Sequence, residues 1–249
     1  MTFSRRHFLA TTAAATLAPA TLRAAAHGDN SFANGAITVH PIAHASIVLE
    51  TPAGTLYVDP VGDPAQYADF PNPDLILITH EHGDHFKPDT LGAIAGDTPL
   101  LTNPAVHGKL ASDLAANASS VANGGSHQFA NATIDAIPAY NHSADRLKFH
   151  PEGRDNGYVL TIDGFRIYIS GDTEDIAEMR ALSGIDLAFV CMNLPFTMDA
   201  EAAASAVNEF KPAVVYPYHY RGRDGGTQDP KEFAALLTDV DVRFGDWYG

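Results

Sequence analysis

Within six residues, His80-Glu81-His82-Gly83-Asp84-His85 sets three imidazoles and two carboxylates. Neutral imidazole nitrogens and carboxylate oxygens are ligands for zinc and similar divalent ions, and one short loop offers four of them in His80, His82, Asp84 and His85. Their spacing is as informative as their types. In an extended tip, side chains repeat every second residue, so His80 and His82 point the same way. Gly83 adopts backbone angles closed to other residues, which allows the chain to turn and bring Asp84 and His85 round. A solvated loop with a chance cluster of His and Asp is the competing reading. It accounts for one histidine better than for this alternation.

The loop must be carried by something rigid. Asp74-Leu75-Ile76-Leu77-Ile78, immediately before it, is an apolar, branched run typical of a strand buried on both faces. The same arrangement recurs along the chain. Strands are expected at Ile37–His40, Ala45–Glu50 and Thr55–Val58, the last ending in Asp59-Pro60. Helices are expected from Pro88 to Ala95 and from Pro104 to Ala116, separated by a strand at Pro99–Thr102. In the second half, the strand Asn131–Ala139 leads to Tyr140-Asn141-His142. A hairpin over Gly157–Asp163 and Phe165–Ser170 leads to Gly171-Asp172. After a helix from Thr173 or Glu174 to Leu182, a strand at Ile185–Cys191 precedes the Ala-rich helix Asp199–Phe210. The strand Ala213–Pro217 leads to Tyr218-His219-Tyr220, and Asp229–Leu237 (helix) and Val240–Phe244 (strand) close the chain. These patterns by themselves specify one α/β domain.

The motif H-x-H-x-D-H, with a later histidine, aspartate and histidine each following an apolar strand run, resembles the metallo-β-lactamase fold of metal-dependent hydrolases. The resemblance implies a four-layer αββα sandwich over residues 27–249. It implies two divalent metal ions, zinc first, with manganese or iron as alternatives. Metal one would take His80, His82 and His142; metal two would take Asp84, His85 and His219, with Asp172 bridging both. Asp59 would brace the loop from behind, and His44 would stand beside the site. His142 is preferred to His150 because it lies just past a strand, whereas His150 sits in the loop Phe149-His150-Pro151 and is read as a substrate contact. Asp84 is assigned the catalytic role of orienting a metal-bound hydroxide and handling its proton. Asn193, Phe196, Met198, Tyr218, Tyr220 and Arg221 are candidates for shaping the pocket. Arg221 would pair with a phosphate or carboxylate, although each residue taken singly is more often packing or surface.

The whole chain narrows the function further. At 249 residues it can bury a large core, and a formal net charge of −15 argues against a nucleic-acid surface as the main partner. A single cysteine, Cys191, excludes an intrachain disulfide framework and a thiolate-rich metal site; it reads as a buried thiol in an apolar strand. Residues 1–26 resemble a twin-arginine export signal, with Arg5-Arg6, a weakly apolar run from Ala10 to Ala20 and Ala24-Ala25-Ala26 as the cleavage site. That run is too short for a stable membrane span. Its removal takes three arginines and no acid, moving the charge from −15 to −18. The reading is an exported, periplasmic or secreted, dinuclear hydrolase of a small-molecule ester, lactone or phosphodiester, nearest the lactonase-like and phospholipase-D-like branches of the fold. The alternatives are an iron-dependent oxidoreductase of the same fold and an exported metal-containing binding protein. Seven ligands favour the first, because a purely structural zinc is usually closed with four.

Overall fold

A computed structural model describes residues 30–222 and 228–248. The expected export signal lies outside the described residues. Fourteen strands form two seven-stranded sheets. The first contains β1 (Ser31–Phe32), β2 (Ile37–Ala43), β3 (Ser46–Thr51), β4 (Gly54–Val58), β5 (Leu75–Ile78), β6 (Leu100–Thr102) and β7 (Ala118–Ser120), in chain order across the sheet. The second contains β8 (Ser126–Phe129), β9 (Ala132–Ala139), β10 (Asp155–Ile162), β11 (Phe165–Ile169), β12 (Leu187–Cys191), β13 (Val214–Tyr218) and β14 (Asp241–Val242), also in chain order. Each sheet has the same plan. Its first four strands pair antiparallel, and the rest pair parallel.

The pleat explains why the strands read as continuous apolar runs. In β5, Leu75 and Leu77 join the core between the sheets, while Ile76 and Ile78 join a second core under the helices outside. The same division separates Leu56 and Val58 from Tyr57 in β4. On the second sheet, Tyr168 meets Phe210 of the helix α5 (Ala200–Phe210) edge to face, with ring centroids 5.9 Å apart. Two sheets facing each other with helices outside form the expected αββα sandwich.

Some elements differ from the sequence reading. The expected helix from Pro104 to Ala116 is two short ones, Pro104–His107 and Ser112–Ala116; the first is capped by Asn103 and ends at Gly108. The helix expected from residue 173 or 174 is confined to Ala177–Arg180, because Thr173 and Glu174 are engaged with the loop around Tyr140 and His142. Strand β8 was not expected. Among the described residues no helix is long and apolar enough to cross a membrane.

Candidate metal centre

Asp59 follows β4, His80 follows β5, Asp172 follows β11, Asn193 follows β12 and His219 follows β13. The carboxyl ends of the parallel strands therefore converge on one edge of the sandwich, where α/β sheets place their ligands. Close packing brings them together. A Cβ on Gly171 would lie 2.8 Å from the Asn156 carbonyl oxygen, and the residue has φ +61°, so only glycine delivers Asp172 here without strain. His44, Asp59 and His219 also have left-handed backbones (φ +56°, +45° and +46°), unusual for residues with a Cβ and typical of sites where function overrides local preference.

Asp59 is fully buried and braces the loop. It accepts the Thr79 backbone N–H at 2.7 Å, the Thr79 hydroxyl at 2.6 Å and His85 Nδ1–H at 2.7 Å. This fixes the His85 tautomer, leaving Nε2 with its lone pair toward the cluster. His150 is held in the same way. Its Nδ1 lies 3.1 Å from Asp155 Oδ2, and Asp155 is in turn gripped by Arg154 through contacts of 2.7 and 2.9 Å. His150 Nε2 is then free to face Asp172 Oδ2 at 3.4 Å. On the other side of Asp172, Oδ1 lies 3.3 Å from both His85 Nε2 and His219 Nε2. Among the described residues four overlapping groups form, each with its ligand atoms within 4.8 Å of one another: His80–His82–His150, His80–Asp84–His85, His85–Asp172–His219 and His44–Asp84–His219.

Of the residues assigned from sequence, His80, His82, Asp84, His85, Asp172 and His219 converge, and His142 does not. The His142 side chain is 55% exposed and turns to Asp175, with Nε2 3.3 Å from Oδ1. Its neighbour Asn141 takes the inward position, donating to the Phe196 and Arg146 carbonyls at 2.7 and 3.0 Å. The chain then makes an excursion and returns, so that the Asn141 N–H meets the His150 carbonyl at 2.8 Å and His150 enters the cluster. The geometry thus brings His150, and not the expected His142, to the cluster. The available signal was Arg154-Asp155 at the start of β10, a charged pair suited to holding a histidine from behind. Glu174, also missed, anchors the excursion by accepting the His142 and Ser143 N–H groups and Arg146 Nη1, each at 2.7 Å.

The protonation pattern follows from burial and charge. Burial lowers the pKa of His80, His82 and His219, favouring the neutral, ligating form. For His85 and His150, burial acts in the same direction but is outweighed by Asp172 together with Asp59 or Asp155, and both are raised, favouring a proton on Nε2 that a bound cation would displace. Burial would raise Asp172, yet His219 and His85 hold it well below the usual carboxylate range. Asp84, whose side chain is about half exposed at the cavity, is likewise lowered: its contacts with His44, His85 and His219 outweigh burial.

These residues fit a divalent metal. His85 Nε2 and Asp172 Oδ1 are buried, 3.3 Å apart, and neither has a hydrogen-bond partner. Leaving two such groups unsatisfied is costly unless a cation completes them. The donor set is all nitrogen and oxygen, with carboxylates behind two of the histidines, as metal-bound histidines require.

A cavity of about 510 Å³ opens over the cluster, lined by His44, His82, Asp84, Phe149, His150, Asp172, Asn193, Phe196, His219, Arg221 and Gly222. Asn193, Phe196 and Arg221 therefore reach the pocket. Met198 is in the core, Tyr218 is buried against Phe189 and Trp247, and Tyr220 packs on Tyr248. Cys191 is a buried thiol pushed up to about 12 by burial, as its strand context suggested.

Fold and site together define a metallo-β-lactamase-like sandwich with a His/Asp metal centre. Residues 38–219 match the family described as "Beta-lactamase superfamily domain". The chain is 30% identical to a UPF0173 metal-dependent hydrolase of Pyrococcus abyssi, covering 82% of this chain and 93% of that protein. It is 33% identical to a UPF0173 metal-dependent hydrolase of Thermococcus kodakarensis with the same coverage of both chains. A solved structure of a candidate metal-dependent hydrolase from Parabacteroides distasonis aligns at 41% identity with a TM-score of 0.75, covering 85% of this chain and 94% of that one. The chain belongs to the UPF0173 metal-dependent hydrolases of the β-lactamase superfamily.

Proposed function

We propose that this is a dinuclear hydrolase of a small ester, lactone or phosphodiester. The supporting observation is that the two oxygens of Asp172 face different histidine sets, Oδ2 toward His150 and Oδ1 toward His85 and His219. On this reading His80, His82 and His150 hold one ion, Asp84, His85 and His219 the other, and Asp172 both. Zinc suits an all-nitrogen-and-oxygen set, and manganese and iron are the alternatives. Such ions supply Lewis-acid polarisation and a nucleophile at neutral pH.

The protein's own groups then do three things. The cavity admits a small substrate and fixes it over the cluster. Asp84, ionised at neutral pH and exposed to the cavity, takes at Oδ2 a proton from water as the water oxygen bonds to the acyl carbon or phosphorus, and returns it to the leaving oxygen as that oxygen's bond breaks, releasing acid and alcohol. His44 Nε2, 3.3 Å from Asp84 Oδ2, holds that carboxylate in place, while Tyr248 holds His44 through a 3.1 Å contact at Nδ1.

Elemental analysis of metal-replete protein, followed by a panel of esters, lactones and phosphodiesters, tests the reading. About two transition-metal ions per chain and turnover of one class are expected. Asp84→Asn should then lose activity on the order of a hundredfold, by more than it loses metal. Protein without bound transition metal, or an Asp84→Asn variant as active as the parent, would overturn it. We also propose export by the twin-arginine route, based on Arg5-Arg6 and Ala24-Ala25-Ala26. Replacing both arginines with lysine should leave an uncut precursor inside the cell; normal processing of that variant would refute export by this route.

A further inference from the structure

Cavity-lining residues outside the His/Asp cluster carry information about the substrate. Their apolar part is Phe149 and Phe196, edge to face with ring centroids 5.0 Å apart. Both are fixed before any ligand arrives. The Phe196 N–H donates to the Asn193 carbonyl at 2.9 Å, and its own carbonyl accepts from Asn141 at 2.7 Å. Phe149 has Lys148 Nζ 4.9 Å from its ring centroid.

The charged part is Arg221. Its guanidinium lies over the Tyr248 ring, 4.2 Å from the centroid, and its backbone N–H approaches the Tyr248 hydroxyl at 3.4 Å. Contact with the ring holds the guanidinium in place. Arg146, Arg154, Arg180 and Arg243 each pair with an acid at 2.7–2.9 Å. Among the described residues no carboxylate pairs with Arg221. Arg166, whose Nη1 donates to the Ser183 carbonyl, is likewise without a carboxylate, but only Arg221 lines the cavity.

We infer that the substrate class of this site is an anion joined to an apolar, aromatic-sized body, with the carboxylate or phosphate taken by Arg221 and the body by Phe149 and Phe196. This rests on the hydrolytic reading for the word substrate, but the binding it describes does not. A planar fork matches either oxyanion in bidentate fashion, and a cavity of about 510 Å³ accommodates a ligand of this size.

The experiment is calorimetric titration of the metal-replete protein with 3-phenylpropionate, phenyl phosphate and the neutral 3-phenylpropionamide. At least one anion should bind about tenfold or more tightly than the amide, the scale of one charge-assisted contact. The tighter of the two anions identifies the group. Arg221→Gln should abolish the preference and Arg221→Lys should keep part of it, while Phe196→Ala should weaken acid and amide alike. If Arg221→Gln binds the anions as the parent does, they are held by the metal cluster and the inference fails. It fails equally if no anion is preferred, or if no probe binds at millimolar concentration. Arg221-dependent anion binding without turnover of any ester would remove the hydrolytic reading and leave this subsite standing. Turnover that is indifferent to Arg221 would do the reverse.

Discussion

At Asp172 two sets of imidazoles meet one carboxylate, and the histidine that completes the second set separates this chain from its motif. His142 and His150 lie in the same connection between β9 and β10, so their types cannot distinguish them. What distinguishes them is the backing. His150 Nδ1 rests on a buried carboxylate, Asp155, as His85 Nδ1 rests on Asp59, whereas His142 faces Asp175 on the surface. A histidine without such a partner has neither its ring orientation nor its tautomer fixed. His150→Ala should therefore lose metal, with affinity falling on the order of a hundredfold or more, while His142→Ala should bind metal as the parent does. Competitive chelator titration of both variants measures this, and metal loss in His142→Ala alone would restore the assignment made from sequence. Asp155→Asn keeps the shape but weakens the backing, and is expected to fall between the two, about 10–100-fold down in affinity.

The strands that carry these residues were legible because burial on both faces leaves an unmistakable apolar run. Leu75–Ile78, Leu187–Cys191 and Val214–Tyr218 were located within a few residues, and with them His80 and His219 at their tips. What was not legible was the excursion between β9 and β10. It is held by single contacts across long sequence separations, such as Glu174 to the His142 N–H and Asn141 to Phe196, and local pattern does not encode these. The helix expected at Thr173 was lost for the same reason, since Thr173 and Glu174 serve that excursion instead. The run Asn156-Gly157-Tyr158 ties the two sheets together beside the site. Tyr158 donates to the Ile78 carbonyl at 2.9 Å, and a Cβ on Gly157 would lie 2.7 Å from the Ser170 oxygen. Gly157→Ala would push β10 away from the strand that delivers Asp172. Overpacking of this kind costs about 1–3 kcal/mol. In a domain of this size that is a fall in Tm of roughly 3–10 °C. Calorimetry of the variant checks it, and an unchanged Tm would mean the two strands are less tightly apposed than described.

Across the whole molecule, the proposed ligand set is divided between the two sheets. His80, His82, Asp84 and His85 come from the loop after β5 in the first, while His150, Asp172 and His219 come from the second. Each sheet is a near repeat of the other in topology, and the core between them is largely apolar and non-directional, so few directional contacts hold this edge, among them Tyr158 to the Ile78 carbonyl at 2.9 Å and the Asn156 N–H to the Thr79 carbonyl at 3.1 Å. A bound ion that takes ligands from both sheets fixes that edge further, and its binding energy then counts toward folding because the unfolded chain does not assemble the ligands. Free metal at a hundred times its Kd adds about 2.7 kcal/mol per site. For a domain of this size that corresponds to roughly 5–10 °C in Tm. Removal by chelator should lower Tm by that order and raise amide hydrogen exchange at the strand tips around residues 79–85 and 170–173, leaving the Ala-rich helix α5 largely unaffected. Full metal loss, verified by elemental analysis, with Tm and exchange unchanged would show that the core and its few directional contacts alone set the geometry of the site, and that the sheets meet at this edge without help from the ions they bind.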